Sequence, residues 1–128
     1  MRLEAIKRAV TDWLNSCCPA VWCEDEAPVG ARFPCLQYRI MWAPMGEKGS
    51  VTVTCWARDD HSAATGLAER VMASVPQQGR LLRYPGGVLL LSPGKAEQTT
   101  SEDRAVRGVR LVFAACWYER PGEEAGSC

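Results

Sequence analysis

Two alternating runs followed at once by a helical stripe constrain this chain more than anything else in it. Residues 33–43 (FPCLQYRIMWA) set Leu36, Tyr38, Ile40 and Trp42 against Cys35, Gln37, Arg39 and Met41, the two-residue period of a strand with one buried face. Residues 50–57 (SVTVTCWA) alternate again, with Val51, Val53 and Cys55 on one side and Thr52, Thr54 and Trp56 on the other. The Pro- and Gly-containing link 44–49 suits a hairpin loop, so the two strands are expected to pair antiparallel. Arg58-Asp59-Asp60-His61-Ser62 then offers carboxylates to the free N–H groups of a starting helix. Beyond it Leu67, Ala68, Val71, Met72 and Val75 form one helical stripe, ended by Pro76 and Gly79. Gly66 within that helix costs about 1 kcal/mol relative to Ala.

The rest of the chain arranges itself around this core. Leu3, Ile6, Val10, Trp13, Leu14 and Cys17 recur at helical spacing, which predicts an amphipathic helix over residues 1–16 with Trp13 as its largest anchor. Pro19 stops it, residues 20–23 form a short strand, and Glu24-Asp25-Glu26 with Pro28 and Gly30 form a solvated loop. After the second helix, residues 80–84 and 88–91 flank the Pro85-Gly86-Gly87 turn as a small hairpin. Residues 92–105 (SPGKAEQTTSEDRA) lack apolar periodicity and read as a long mobile loop. Residues 106–118 (VRGVRLVFAACWY) form the last strand, apolar on both faces and therefore expected to be covered on both. The predicted architecture is an α+β fold: a mainly antiparallel sheet of about four to six strands packed by two helices, in the order α-β-β-β-α-β-β-β. Residues 1–118 make one domain, and residues 119–128, rich in Gly and Glu, form a flexible tail.

Composition narrows the function by exclusion. Apolar residues at 47% and charged residues at 23% rule out wholesale disorder. Fifteen basic and fifteen acidic residues intermix to zero net charge, so no electrostatic footprint points to nucleic acid or an anionic membrane as a partner. No apolar run approaches the ~20 residues that span a bilayer. Arg2, Glu4, Lys7, Arg8 and Asp12 interrupt the N-terminal apolar residues, so a signal peptide is not expected and a cytoplasmic protein is. Seven cysteines are then read as reduced thiols packing like small hydrophobes.

Several residue groups invite a chemical reading. Asp59-Asp60-His61 joins carboxylates to the single histidine, the raw material of acid–base catalysis, but a helix N-cap explains the same residues without a nucleophile motif. Cys17, Cys18 and Cys23 with His61 are zinc-type ligands, yet adjacent cysteines cannot easily face one metal and no Cys-x-x-Cys is present. The Pro85-Gly86-Gly87 and Pro93-Gly94-Lys95 segments lack the pattern of a phosphate loop and read as turns. Arg104, Arg107 and Arg110 do not form a stripe, because Arg107 and Arg110 fall on opposite faces of the last strand. No catalytic residue, cofactor or metal is expected. A small cytosolic enzyme using a Cys or His61, or a metal-dependent binding module, are the alternatives.

The feature left over is apolar surface. With the helices on the Leu36, Val51 and Phe113 face, the opposite face carries Cys35, Met41, Trp56, Val112 and Cys116, and aromatics with Met on a face without helices are the composition of an interface. The competing reading folds the hairpin at residues 80–91 back over it. Met41, Trp56, Val112 and Cys116 are the candidate interface residues.

The start Leu3-Glu4-Ala5-Ile6-Lys7-Arg8-Ala9-Val10, the lead Ala27-Pro28-Val29-Gly30-Ala31-Arg32-Phe33-Pro34 and the strand-to-helix passage from Thr54 to Leu67 resemble the small tail terminator and tail-completion (minor tail) proteins of tailed bacteriophages, the lambda tail terminator family in particular. The resemblance is one of element order and hydrophobic pattern over residues 3–118. It implies a non-enzymatic phage or prophage structural protein whose copies close a ring, commonly a hexamer, that caps the tail tube and joins it to the head connector. Its partners would be itself, the tail tube and head-connector proteins. Its location would be the bacterial host cytoplasm during assembly and the virion tail afterwards. Rings use heterologous interfaces, which would account for the second apolar face.

Overall fold

The computed structural model describes residues 3–23, 32–42, 48–100 and 105–119. Helix α1 (Leu3–Asn15) leads into strands β1 (Val21–Cys23), β2 (Cys35–Trp42) and β3 (Lys48–Arg58); helix α2 (His61–Ala73) follows, then β4 (Arg80–Tyr84), β5 (Gly87–Thr100) and β6 (Val106–Glu119). All six strands join one sheet in the spatial order β1-β2-β3-β6-β5-β4. Helix α1 touches both edge strands, β1 and β4, although four strands lie between them in the sheet. The sheet therefore curls round the helices as a half-barrel.

This corrects the expected fold class. Strand makes up 55% of the described residues and one of the five strand pairings is parallel, so the protein is mostly a mixed sheet and not the antiparallel α+β sheet expected. The departure is β1, which pairs parallel to β2 with Val21, Trp22 and Cys23 beside Leu36, Gln37 and Tyr38. The length of the link from Cys23 to Cys35 allows it: a tight hairpin turn can only reverse the chain, and parallel neighbours need a connection of about a dozen residues. Residues 24–31, which contain the acidic run, lie outside the described residues.

The second correction concerns residues 92–105, expected as a loop. Residues 92–100 continue β5 along β6, with a register shift between Ser92 and Lys95. Pro93-Gly94 is thus a bulge inside a strand rather than a turn. Gly94 has to be glycine there, because a side chain on it would run into the Val112 carbonyl. The segment showed no apolar alternation because most of it is exposed. Residues 101–104, including Arg104, and 120–128, most of the expected tail, lie outside the described residues, as do 43–47 of the β2–β3 link.

The expected pairing of β2 with β3 holds, from Cys35↔Trp56 to Trp42↔Gly49, and β3 then pairs antiparallel with β6. One core fills the space between sheet and helices: Ile6, Val10, Trp13 and Leu14 of α1, Leu67 and Val71 of α2, and Leu36, Val51, Val53, Leu89, Leu91, Leu111 and Phe113 of the sheet. Trp13 meets Phe113 edge to face at 5.6 Å between ring centroids, and its indole N–H donates to Ser74 Oγ at 2.8 Å, tying α1 to the end of α2. Tyr38 shares a 2.8 Å hydrogen bond with Thr11 Oγ1 and donates to the Lys7 carbonyl, so β2 holds α1 along its length.

Candidate functional site

The sheet face turned away from the helices is the feature that the fold itself leaves unused. Cross-strand register places Cys35, Gln37, Arg39 and Met41 of β2, Ser50, Thr52, Thr54 and Trp56 of β3, and Arg110, Val112, Ala114 and Cys116 of β6 on it. Met41, Trp56, Val112 and Cys116 thus share one face, although they come from three strands. Met41 is 48% exposed and Val112 36%, while Trp56 and Cys116 are half-buried.

Local geometry seats the Trp56 indole on this surface. Trp56 stands opposite Gly108, where a Cβ would fall within 2.8 Å of the indole, so the missing side chain is what lets the ring lie against β6. Its Nε1–H donates to Gln37 Oε1 at 2.6 Å, which fixes the ring in the sheet surface. Beside it Arg110 pairs with Glu97 at 3.4 Å and donates to Thr99 Oγ1 at 3.5 Å. Gln37, Arg39, Met41, Thr52, Thr54, Trp56, Glu97, Arg110 and Val112 line a shallow depression of ≈ 380 Å³, polar in the middle with apolar residues at its ends. Trp22 of β1 neighbours Gln37, and its indole N–H is buried with no partner among the described residues.

The hairpin of β4 and β5 does not fold back over this face; it extends it. Leu81 pairs with Leu90, Leu90 with Cys116, and Val88 with Tyr118. Leu81 is 55% exposed and Tyr118 54%, so the apolar end of the face reaches across β6, β5 and β4. Neither sequence reading of this face included Leu81, Leu90 or Tyr118. A signal for Leu81 was present in RLLRY, where Leu81 and Leu82 place apolar residues on both parities. Nor is β6 covered on both faces, as its sequence suggested: Val112 and Ala114 are exposed.

The chemical candidates resolve differently. Asp60 is the N-cap of α2, accepting from the backbone N–H of Ser62 and Ala63 at 3.1 and 3.3 Å and from Ser62 Oγ at 2.6 Å. The Ser62 hydroxyl, followed by the backbone bond from Ala63, holds its carboxyl below the ordinary carboxylate range. Asp59 takes φ 59 at the turn from β3 into α2 and donates its N–H to the Ala105 carbonyl. The His61 ring stands 3.4 Å from the Gln98 amide. Cys17 and Cys18 follow α1 and Cys23 ends β1; among the described residues no three His, Cys, Asp or Glu side chains gather as a metal site. Burial, with Cys18 nearby, pushes the Cys35 thiol up to about 11, and burial pushes Cys55 up to about 12, which suits packing and not nucleophilic attack. Arg107 and Arg110 lie on opposite faces of β6, as their parity required.

No protein-family model matches the chain, and no curated protein matches it. Among solved structures it is similar to a chain from the virion of a native gene transfer agent particle, with a TM-score of 0.60 over 90% of this chain and 96% of that one. Sequence identity is 16%, so the likeness is one of fold.

Proposed function

We propose that the chain is a non-enzymatic structural subunit of a phage or phage-like particle, of the tail terminator kind: copies close a ring, commonly hexameric, that caps the tail tube and meets the head connector. The observation that carries this reading is the sheet face without helices, which bears Met41, Trp56, Val112 and Cys116 and continues through Leu81, Leu90 and Tyr118. Exposed apolar and aromatic side chains on a hydrogen-bonded sheet suit burial against another protein, and the scarcity of charge at the apolar end suits the middle of an interface. The shared fold with a virion chain adds support from a separate direction. A ring requires two different patches to meet, so the outer face would be one of the two and a different surface of the neighbouring copy the other. Assembly would take place in the bacterial host cytoplasm and the product would reside in the virion tail.

Electron microscopy of the concentrated protein, alone and mixed with tail tubes, tests the proposal. Rings of uniform subunit number, or density at the tube end, are expected. A chain that stays monomeric alone and leaves tube ends bare would overturn it.

A further inference from the structure

One edge of the sheet has no covering strand among the described residues. β4 follows β5 only over residues 87–91, whereas β5 runs on along β6 to Thr100. Beyond Leu91 the strand bulges at Pro93-Gly94, and β4 has no residue opposite it there. Residues 95–100 therefore pair on one side only, with residues 107–112 of β6. In an antiparallel ladder alternate residues point N–H and C=O away from their partner strand, and here no other backbone hydrogen bond reaches these groups among the described residues. Lys95, Ala96, Glu97, Gln98 and Thr100 are exposed. Such an edge is a ready template for a further strand.

Charge selects the strand that fits. Lys95 and Glu97 stand opposite Val112 and Arg110, so they share the outer face and flank Ala96. Two copies of this strand paired antiparallel about a two-fold axis through Ala96 set each Lys95 opposite the Glu97 of the other, giving two complementary pairs, with Gly94 opposite Gln98. Moving the axis to Glu97 would set two carboxylates directly opposite each other, which is destabilising. Glu97 already accepts from Arg110 within its own chain and would then lie between two cations.

We propose that the β5 edge over residues 94–98 is a self-association site, at which a second copy of this chain adds its own β5 in antiparallel register centred on Ala96. The contact is isologous and closes at two subunits, so it acts beside the outer-face contact and does not depend on it.

Charge exchange tests this, with the full chain in reductant and the mass followed against concentration by light scattering. The parent for this test is the Trp56→Glu variant, which lacks the outer-face contact and is expected to approach twice 14.1 kDa. Lys95→Glu or Glu97→Lys in that background turns both cross-strand pairs into like charges and is expected to weaken the dimer roughly tenfold. Mixed one to one, the two variants restore both pairs and should associate nearly as tightly as the parent. Circular dichroism should not change, since both side chains are exposed. A monomeric parent, single variants as tight as the parent, or a mixture no tighter than its components would each overturn the proposal. None of these results bears on whether the outer face closes a ring.

Discussion

The hydrogen bond from Trp13 to Ser74 is the sharpest test of how the helices are fixed inside the curled sheet. Trp13 is 3% exposed, stacks edge to face on Phe113, and reaches past the core to Ser74 Oγ at the end of α2. Trp13→Phe keeps a ring against Phe113 but removes the donor and leaves a small void. The lost hydrogen bond is worth about 1 kcal/mol and the incomplete filling about 1–2 kcal/mol, so a loss of roughly 2–3 kcal/mol is expected. For a chain of this size that lowers Tm by roughly 10 °C. Ser74→Ala removes the acceptor together with the Ser74 hydroxyl's own bond to the Val71 carbonyl at 2.6 Å, and should cost about 1–2 kcal/mol. The two losses share one interaction, so the double variant should be less destabilised than their sum by about 1 kcal/mol. Urea unfolding of the four proteins at one low concentration measures this. Additivity within about 0.3 kcal/mol would refute the reasoning, since it would mean that the indole and the hydroxyl do not meet.

Two glycines should respond in opposite directions. Gly66 in α2 has open space where a Cβ would go, so Gly66→Ala should raise stability by about 1 kcal/mol, read as a higher Tm. Gly94→Ala drives a methyl group into the Val112 carbonyl and should lower Tm markedly, with the damage visible as faster amide exchange along β5. Asp60→Ala should lower Tm at neutral pH. Because the folded state holds the Asp60 carboxyl below its ordinary range, its contribution is complete above the unfolded value and is lost as pH falls through the folded one, so the gap between wild type and variant should close in acid. Alkylation followed by mass spectrometry should label Cys17 and Cys116, which are half-buried, well before Cys35 and Cys55, which should react only on unfolding. One fast, selectively reactive thiol would instead favour an enzyme.

The parts of the fold that the sequence made legible are those where one face is dry and the other wet. Leu36 and Tyr38, Val51, Val53 and Cys55, and the α1 stripe from Ile6 to Leu14 announced their elements because burial imposes a period on the residues. Strand direction imposes none, so nothing in Val21-Trp22-Cys23 distinguished a parallel from an antiparallel neighbour; only the length of the following link bore on it. Residues 95–100 were invisible for a different reason. An edge strand that is exposed on most of its positions selects polar residues throughout, and Pro93-Gly94 carries the same letters in a bulge as in a turn. The candidate site was half legible. Parity alone put Met41, Trp56, Val112 and Cys116 on one face, but its extension through Leu81, Leu90 and Tyr118 depends on β4 and β5 lying beside β6, which is a property of topology and not of any local pattern.

The central claim is that the outer sheet face joins one copy of this chain to the next. Trp56 lies on that face, its indole bonded to Gln37 and close over Gly108, so a charge there should alter the surface and leave the core alone. The most direct measurement is the mass of wild type and Trp56→Glu across a range of concentrations by size-exclusion chromatography with light scattering, in reductant. Wild type should close at a fixed number of subunits, and Trp56→Glu should stop at the dimer with an unchanged circular dichroism spectrum. A folded Trp56→Glu protein that assembles as wild type does would contradict the account.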